Sequence, residues 1–148
     1  MGKFKAFFSF NREVKMMLLE SYVYLARARL AKAIPFSRVA PFLGEHMAET
    51  TFRVNPANRK KLASVSQTIH IMSRYTFWES QCLVKAIAAM KMLERRNIES
   101  TLYLGTGRDD EGKLVAHAWL RSGSYYITGS EGKERFTVVG KFAKYINL

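Results

Sequence analysis

The sequence predicts an α+β fold, in which a helical N-terminal half packs on a core made of one central helix and an antiparallel sheet. Apolar residues recur every three or four positions in the first two thirds of the chain, and every second position after Ile98. Because the helices precede the strands instead of alternating with them, a sheet of βαβ units is not expected. With 148 residues the chain is long enough for one core. We expect a single domain, 1–148, with a helical part, 1–75, and a core, 76–148.

Three helical segments are predicted in the N-terminal half. Residues 11–32 carry apolar side chains at helical spacing, and Pro35 ends this helix. A shorter helical piece is expected over residues 38–47. The Asn55-Pro56 pair supplies a cap and a first-turn proline for another helix, which we expect to end near Tyr75.

A fourth helix is expected to begin at Cys82. Apolar side chains recur at helical spacing through residues 83–96, and Asn97 suits the left-handed backbone conformation that ends many helices. Beyond it, alternating apolar residues between glycines predict four strands, which we expect to form an antiparallel meander. The predicted strands cover residues 101–106, 113–120, 124–128 and 135–139.

Cys82 is the only cysteine of the chain, which excludes an intramolecular disulfide. By itself, a single cysteine is more often an inert buried residue than a nucleophile. At a helix start, however, unpaired backbone N–H groups and the helix dipole favour the thiolate, and the same N–H groups can stabilise an oxyanion. Trp78 and Gln81 are expected to add side-chain donors to that pocket.

His117 lies in the predicted strand 113–120, between two alanines that leave room around its imidazole. It can approach Cys82 if this strand packs beside the central helix. Trp119 is expected to point to the opposite face of the strand, and we include it among the candidate residues of the substrate pocket. No metal site is expected, because the potential ligands lack the short spacing of zinc ligands; these ligands are His46, His70, Cys82 and His117.

The net charge of +12 indicates an anionic partner, such as nucleic acid, an acidic peptide, another protein or a membrane surface. The basic residues are spread without the aromatic–basic pattern of nucleic-acid-binding modules, so no nucleic-acid partner is expected. A solvated basic surface explains the charge equally well. The sequence shows neither a secretion signal nor an apolar run of about 20 residues, so we expect a soluble, cytoplasmic protein without a transmembrane segment.

Three segments together resemble a known family, the leader peptidases of lasso-peptide biosynthesis. They are Trp-Glu-Ser-Gln-Cys-Leu-Val-Lys-Ala at 78–86, Leu-Glu-Arg-Arg-Asn-Ile at 93–98 and Ala-His-Ala-Trp-Leu at 116–120. These peptidases are the transglutaminase-like half of the lasso B protein, here a separate chain without its leader-recognition domain. The resemblance covers the chain from about Thr76 onward, and the first half only in length and helical character.

The resemblance implies a transglutaminase/papain-like core and a cysteine endopeptidase that removes the leader of a lasso-peptide precursor. It implies that Cys82 is the nucleophile and His117 the general base, and that no cofactor is needed. The implied partners are the precursor peptide and the leader-recognition protein of the same pathway. The ATP-dependent cyclase, which closes the ring after cleavage, is a further candidate partner.

The third member of the catalytic group departs from the family pattern. The family usually has an aspartate after the strand that follows the histidine, where this chain reads Ile-Thr-Gly-Ser at 127–130. The two aspartates of the chain, Asp109 and Asp110, fall in a predicted turn and are interpreted as solvated turn residues. Candidates for orienting the imidazole are therefore Glu131, a backbone carbonyl near Thr128, or a group from a partner.

Two other interpretations stay open at the level of the sequence. The chain has the nucleophile and base of any Cys–His acyltransferase, such as a transglutaminase or an arylamine acetyltransferase. It is also compatible with a non-catalytic basic binding module in which Cys82 only fills the core.

Overall fold

The predicted α+β class is confirmed by the computed structural model, which describes residues 12–74 and 82–146. Over this part of the chain, helices and one five-stranded sheet enclose a single cluster of buried apolar side chains. None of these helices has the length and apolar character of a membrane span.

The first helix, α1, spans Arg12–Lys32 as the apolar spacing predicts. Its inner face buries Leu18, Leu25 and Ala28 in the core cluster. The helix ends suit its dipole, because an acidic side chain lies in the first turn and basic side chains lie in the last.

The segment after α1 is less helical than predicted. A short helix, α2, spans Phe36–Val39 and a 3-10 turn follows over Ala40–Leu43. The prediction of helix over 38–47 is wrong at its end, because β1, Glu45–His46, pairs there with the last strand of the sheet. The conformation of this segment is determined by backbone hydrogen bonds to a distant strand. The local spacing of apolar residues does not encode those bonds.

The next helix, α3, spans Arg59–Ser73 and follows a 3-10 turn over Pro56–Asn58. The predicted cap is confirmed, because the side chain of Asn55 accepts a hydrogen bond from the amide of Ala57 at 3.0 Å. Asn55 therefore begins the turn that leads into α3.

The central helix, α4, spans Cys82–Arg95 and is buried on nearly all sides. It contacts α1, α3 and the sheet. Asn97 ends it with a φ of 58°, as predicted, and the amide of Ile98 donates to the carbonyl of Leu93 at 2.9 Å.

The other strands are antiparallel, but the predicted meander is wrong in its last step. Spatial order is β1-β5-β2-β3-β4, so the last strand returns to lie beside the first long strand, in Greek-key order. The predicted strand 135–139 is also displaced towards the C-terminus, since residues up to Arg135 form a 3-10 turn. The bounds are Ser100–Arg108 for β2, Leu114–Ser122 for β3, Tyr125–Thr128 for β4 and Thr137–Lys144 for β5.

The two faces of the sheet have different neighbours. Apolar side chains of one face, among them Leu102 and Leu120, belong to the cluster around α4. The other face carries Tyr103 and Arg121, and the segment 49–53 crosses it.

A hydrogen-bond network holds this crossing segment on the sheet. The fully buried guanidinium of Arg121 donates to the carbonyls of Thr50 and Thr51, each at 3.0 Å, and to the hydroxyl of Tyr103. Tyr103 in turn donates to Glu49 at 2.8 Å. Burial and this hydrogen bond outweigh the effect of the nearby guanidinium and raise the pKa of Tyr103 to about 12.

An ion pair joins α1 to the C-terminal end of α4. Glu20, whose side chain is 10% exposed, accepts from both terminal nitrogens of Arg96, at 2.7 and 2.6 Å, and Arg95 adds a contact at 3.2 Å. Burial alone would raise the pKa of Glu20, but the bonds and charges of both arginines outweigh burial and lower it.

Replacing Glu20 by Gln is expected to lower the free energy of unfolding at pH 7 by about 1–3 kcal/mol, because Arg96 loses a bidentate charged partner in a partly buried site. Since the folded-state pKa of Glu20 is lowered, the wild-type pair contributes stability above the ordinary carboxyl value of 4.5 and loses it as the pH falls below that value. Urea unfolding at pH 7 and pH 3.5 measures both effects.

The matched control is Glu111→Gln, whose carboxylate is 79% exposed and lies 3.9 Å from Lys113. This exposed pair should contribute no measurable stability. A Glu20→Gln variant as stable as wild type at pH 7 would contradict the assigned role of the pair.

Candidate active site

Cys82 and His117 line one cavity of about 410 Å³. The cavity lies between α3, the first turn of α4, β3 and the loop that follows β4. Its described walls are Ser66, Ile69, His70, Cys82, Lys85, His117, Ile127, Thr128, Gly129, Ser130 and Glu131.

The position of Cys82 follows from the burial of its helix. Cys82 is the first residue of α4 and a half-buried free thiol. Because Val84 and Ala86 in the following turn are fully buried, that turn cannot shift without opening the core. The sulfur is thereby kept at the cavity wall, at the first described turn of α4.

His117 lies on an open edge of the sheet. β4 pairs with β3 over residues 120–122, so at His117 the edge of β3 has no paired strand on the side of β4 among the described residues. The imidazole therefore lines the same cavity as Cys82, although α4 packs on the opposite face of the sheet.

The orientation of the imidazole is set by a backbone carbonyl. His117 Nε2 lies 2.7 Å from the carbonyl oxygen of Gly129. A carbonyl oxygen accepts only, so Nε2 carries the hydrogen and donates it. In the neutral ring, Nδ1 is then the nitrogen with the free lone pair, and it is the atom available to exchange a proton with a thiol or an amine.

Gly129 is the residue whose conformation places this carbonyl. Its φ of 71° lies in the left-handed region. A Cβ atom added here would meet the carbonyl oxygen of Ala118 and would lie 3.0 Å from Cβ of Trp119. Only glycine fits this approach to β3. The carbonyl therefore takes the place in which the resemblance leads one to expect an aspartate.

Glu131, the acidic candidate for orienting the imidazole, also lines the cavity. Its side chain is exposed, and the Nε2 atom of His117 is already bonded to Gly129. Glu131 thus places a negative charge at the rim of the cavity.

The expected direction of Trp119 is wrong. Strand alternation puts it on the same face as His117, two residues away, and the two rings stack with centroids 5.7 Å apart. Trp119 is 5% exposed and does not line the cavity. Trp119 therefore packs against the imidazole and does not contact the cavity.

Trp119 belongs to a row of rings along this face. Tyr103 stacks on Trp119 at 5.5 Å, and Phe136 packs against His117 at 4.9 Å. The row passes over Gly105, where an added Cβ would lie 2.9 Å from both Phe136 and Trp119. The row and the Gly129 carbonyl together fix the plane of the imidazole.

Trp78 and Gln81, expected as donors in the oxyanion pocket, lie outside the described residues.

Three polar residues of the cavity were not predicted to belong to the site, although His70 was considered as a potential metal ligand. Lys85 had a signal, because residues three apart share a helix face and it therefore accompanies Cys82. Ser66 had none: its hydroxyl donates to the carbonyl of Ile127 at 2.6 Å and ties α3 to β4. His70 is exposed, and its Nε2 atom accepts from Arg74 at 3.2 Å.

The remaining polar candidates lie elsewhere. His46 is in β1 and stacks on Phe142. The turn interpretation of Asp109 is confirmed, because its carboxylate accepts from the amides of Glu111 and Lys113, each at 2.9 Å. Within the described ranges, no three His, Cys, Asp or Glu side chains come together as a metal ion would require.

Residues 29–141, more than half of the chain, match the family model of the transglutaminase-like superfamily. The matched range contains Cys82, His117 and Gly129. The match confirms a transglutaminase-like core. No match is found among curated proteins or among solved structures.

Proposed function

The chain belongs to the transglutaminase-like superfamily, and from this premise we propose that it is a cysteine endopeptidase that cuts the leader from a lasso-peptide precursor. The superfamily contains cysteine-dependent proteases and acyltransferases. Peptide hydrolysis and the lasso precursor are the specific parts of the proposal.

One observation carries the catalytic part of the proposal. The half-buried thiol of Cys82 and the imidazole of His117 line one cavity, and a backbone carbonyl holds the imidazole in the tautomer with hydrogen on Nε2. A nucleophile, a base and a group that orients the base are the parts of a Cys–His hydrolase.

In the proposed reaction, the Cys82 thiolate attacks the carbonyl carbon of the leader–core peptide bond. The oxyanion that forms is stabilised by amides of the first turn of α4. Nδ1 of the His117 imidazolium gives its proton to the leaving amine, which frees the N-terminus of the core. Water, deprotonated by the same nitrogen, then hydrolyses the leader thioester and restores the thiol.

The choice of precursor is supported by the sequence. The three motifs around Cys82, after Leu93 and around His117 occur in the order found in lasso leader peptidases. The freed core amine is the group that a ring-forming cyclase requires. The net charge of +12 suits a peptide or presenting protein that carries carboxylates.

A cleavage assay tests the proposed reaction directly. We expect a lasso precursor, incubated with this protein and the leader-recognition protein, to be cut once between leader and core. Cys82→Ala and His117→Ala should each reduce the cleavage rate by at least about 10³-fold, because the nucleophile and its base act as a unit. Mass spectrometry of both fragments measures the cut.

Three results would contradict this proposal. Cleavage that survives Cys82→Ala would exclude the thiol as nucleophile. A leader product captured by an added amine or acyl-CoA in preference to water would assign the chain to the acyltransferases. A wild-type Cys82 that reacts with iodoacetamide no faster than a free thiol would favour the non-catalytic binding module.

Two substitutions separate the two candidates for orienting His117. Gly129→Ala should reduce kcat by at least about tenfold, because the added Cβ displaces the carbonyl that holds Nε2. Glu131→Gln should stay within about threefold of wild type, since its exposed carboxylate does not hold the ring. Steady-state kinetics on the precursor compares both variants with wild type.

A structural readout accompanies the kinetics. ¹⁵N NMR of the histidine rings should show His117 with hydrogen on Nε2 in wild type and Glu131→Gln, and a mixture of tautomers in Gly129→Ala. A fully active Gly129→Ala enzyme, or a large loss in Glu131→Gln alone, would transfer the orienting role to Glu131.

A further inference from the structure

The helix α1 has apolar side chains on both of its faces. Its inner face belongs to the core, as described above. On the outer face, Met16, Leu19, Val23 and Leu30 are 61%, 52%, 47% and 69% exposed. Exposed apolar side chains that cluster on one helix face are typical of an interaction surface.

On an adjoining side of α1 lies a groove of about 460 Å³ between α1, α4 and residues 34–43. Met16, Leu19 and Val23 line a separate cavity, which also contains Glu13 and Glu20. Its floor and walls are mainly apolar, and Ile34 and Phe42 stand on its lip at 47% and 66% exposure. The groove is lined by Tyr24, Arg27, Ala28, Ala31, Ile34, Arg38, Val39, Phe42, Leu43, Ile87 and Lys91.

Three positive charges surround this apolar groove. Arg27 and Arg38 are exposed, and Lys91 donates to the carbonyl of Phe42 at 2.6 Å. Among the described residues that line the groove there is no carboxylate. Glu94, at 3.3 Å from Lys91, is the nearest acidic partner of that amine and lies outside the lining. A ligand must therefore bring its own negative charge.

We infer that the groove binds an amphipathic helix of another protein, with its apolar side facing the groove and acidic residues on both flanks. The mainly apolar floor of the groove, with Ile34 and Phe42 exposed on its lip, is the kind of surface into which a helix lays its apolar side. The surrounding cations select for carboxylates and against basic partners. This inference does not depend on the proposed peptidase activity.

Three other occupants fit the surface less well. A second copy of the chain would bring cations against cations at a net charge of +12. Residues 1–11 of the same chain contain phenylalanines but no acidic residue, and their charged side chains are the basic Lys3 and Lys5. A bilayer would cover the exposed stripe but would leave the concave groove without a filling side chain.

The probe for this inference is a synthetic helix of roughly 18 residues, which is about 27 Å long. It carries leucine at the heptad a and d positions and glutamate on the flanks. Fluorescence anisotropy with the full chain should give a Kd on the order of 10 µM. The same helix with lysine in place of glutamate should bind at least about 100-fold more weakly.

Two variants of the protein should remove this binding. Arg27→Glu combined with Arg38→Glu should weaken it at least about tenfold, and so should Phe42→Ser. The charge-matched control is Lys60→Glu with Lys61→Glu, on the exposed start of α3. The apolar control is Val139→Ser, at a residue 58% exposed in β5. Both controls should stay within about twofold of wild type.

Each other outcome would overturn the inference. Equal affinity for the two helices, or binding that is lost in the control variants as much as in the groove variants, would exclude a charge-selective groove. A dimer in sedimentation that Phe42→Ser dissociates would assign the surface to a second copy. Binding to vesicles of anionic phospholipid, lost in the same variants while the helix fails to bind, would assign it to a membrane. Helix binding seen only after removal of residues 1–10 would assign it to the chain itself.

Discussion

The burial of α4 is the constraint on which the rest of the structure depends. Eight of its fourteen residues are buried, so the helix has one position relative to α1, α3 and the sheet. This position determines where Cys82 meets solvent, because the thiol lies at the first residue of a segment that cannot slide or rotate without opening cavities in the core. The candidate site therefore needs no separate device to place the Cys82 thiol.

His117 is placed differently, by groups that are held in turn by the sheet. A carbonyl oxygen is a neutral acceptor, so it fixes the tautomer of His117 but stabilises the imidazolium less than a carboxylate would. The rings of Trp119 and Phe136 pack against the imidazole, at centroid distances of 5.7 and 4.9 Å, and restrict its rotation. Arg121, through Tyr103, anchors the far end of the same row. The site thus depends on packing where the family pattern leads one to expect charge.

Local features of the structure were predictable, and non-local ones were not. The long helices, the cap at Asn55 and the left-handed Asn97 follow from spacing and backbone preference, which neighbouring residues encode. The strand at Glu45–His46 and the return of the last strand to β2 depend on pairing across the chain. The role of the Gly129 carbonyl could not be predicted for a different reason. Every residue has a backbone carbonyl, so the sequence does not mark the one that binds His117. Only the contact between Gly129 and β3 identifies it. Local signals predicted the helix start at Cys82 and the strand around His117, and the resemblance predicted that the two residues act together.

The same buried helix also separates the cavity at Cys82 from the groove beside α1. Cys82 and Lys85 line the cavity, whereas Ile87 and Lys91 line the groove. Lys91 lies about 13 Å from Cys82 along the helix axis and, at about 100° per residue, on the opposite side of the helix. Buried side chains fill the space between them, so no peptide can run straight from the groove to the thiol. A partner held at the groove would therefore have to reach around α4 and its neighbours to present a peptide bond at Cys82. The rigidity of α4 keeps the two openings at a constant separation, and a ligand confined to one of them leaves the other unobstructed.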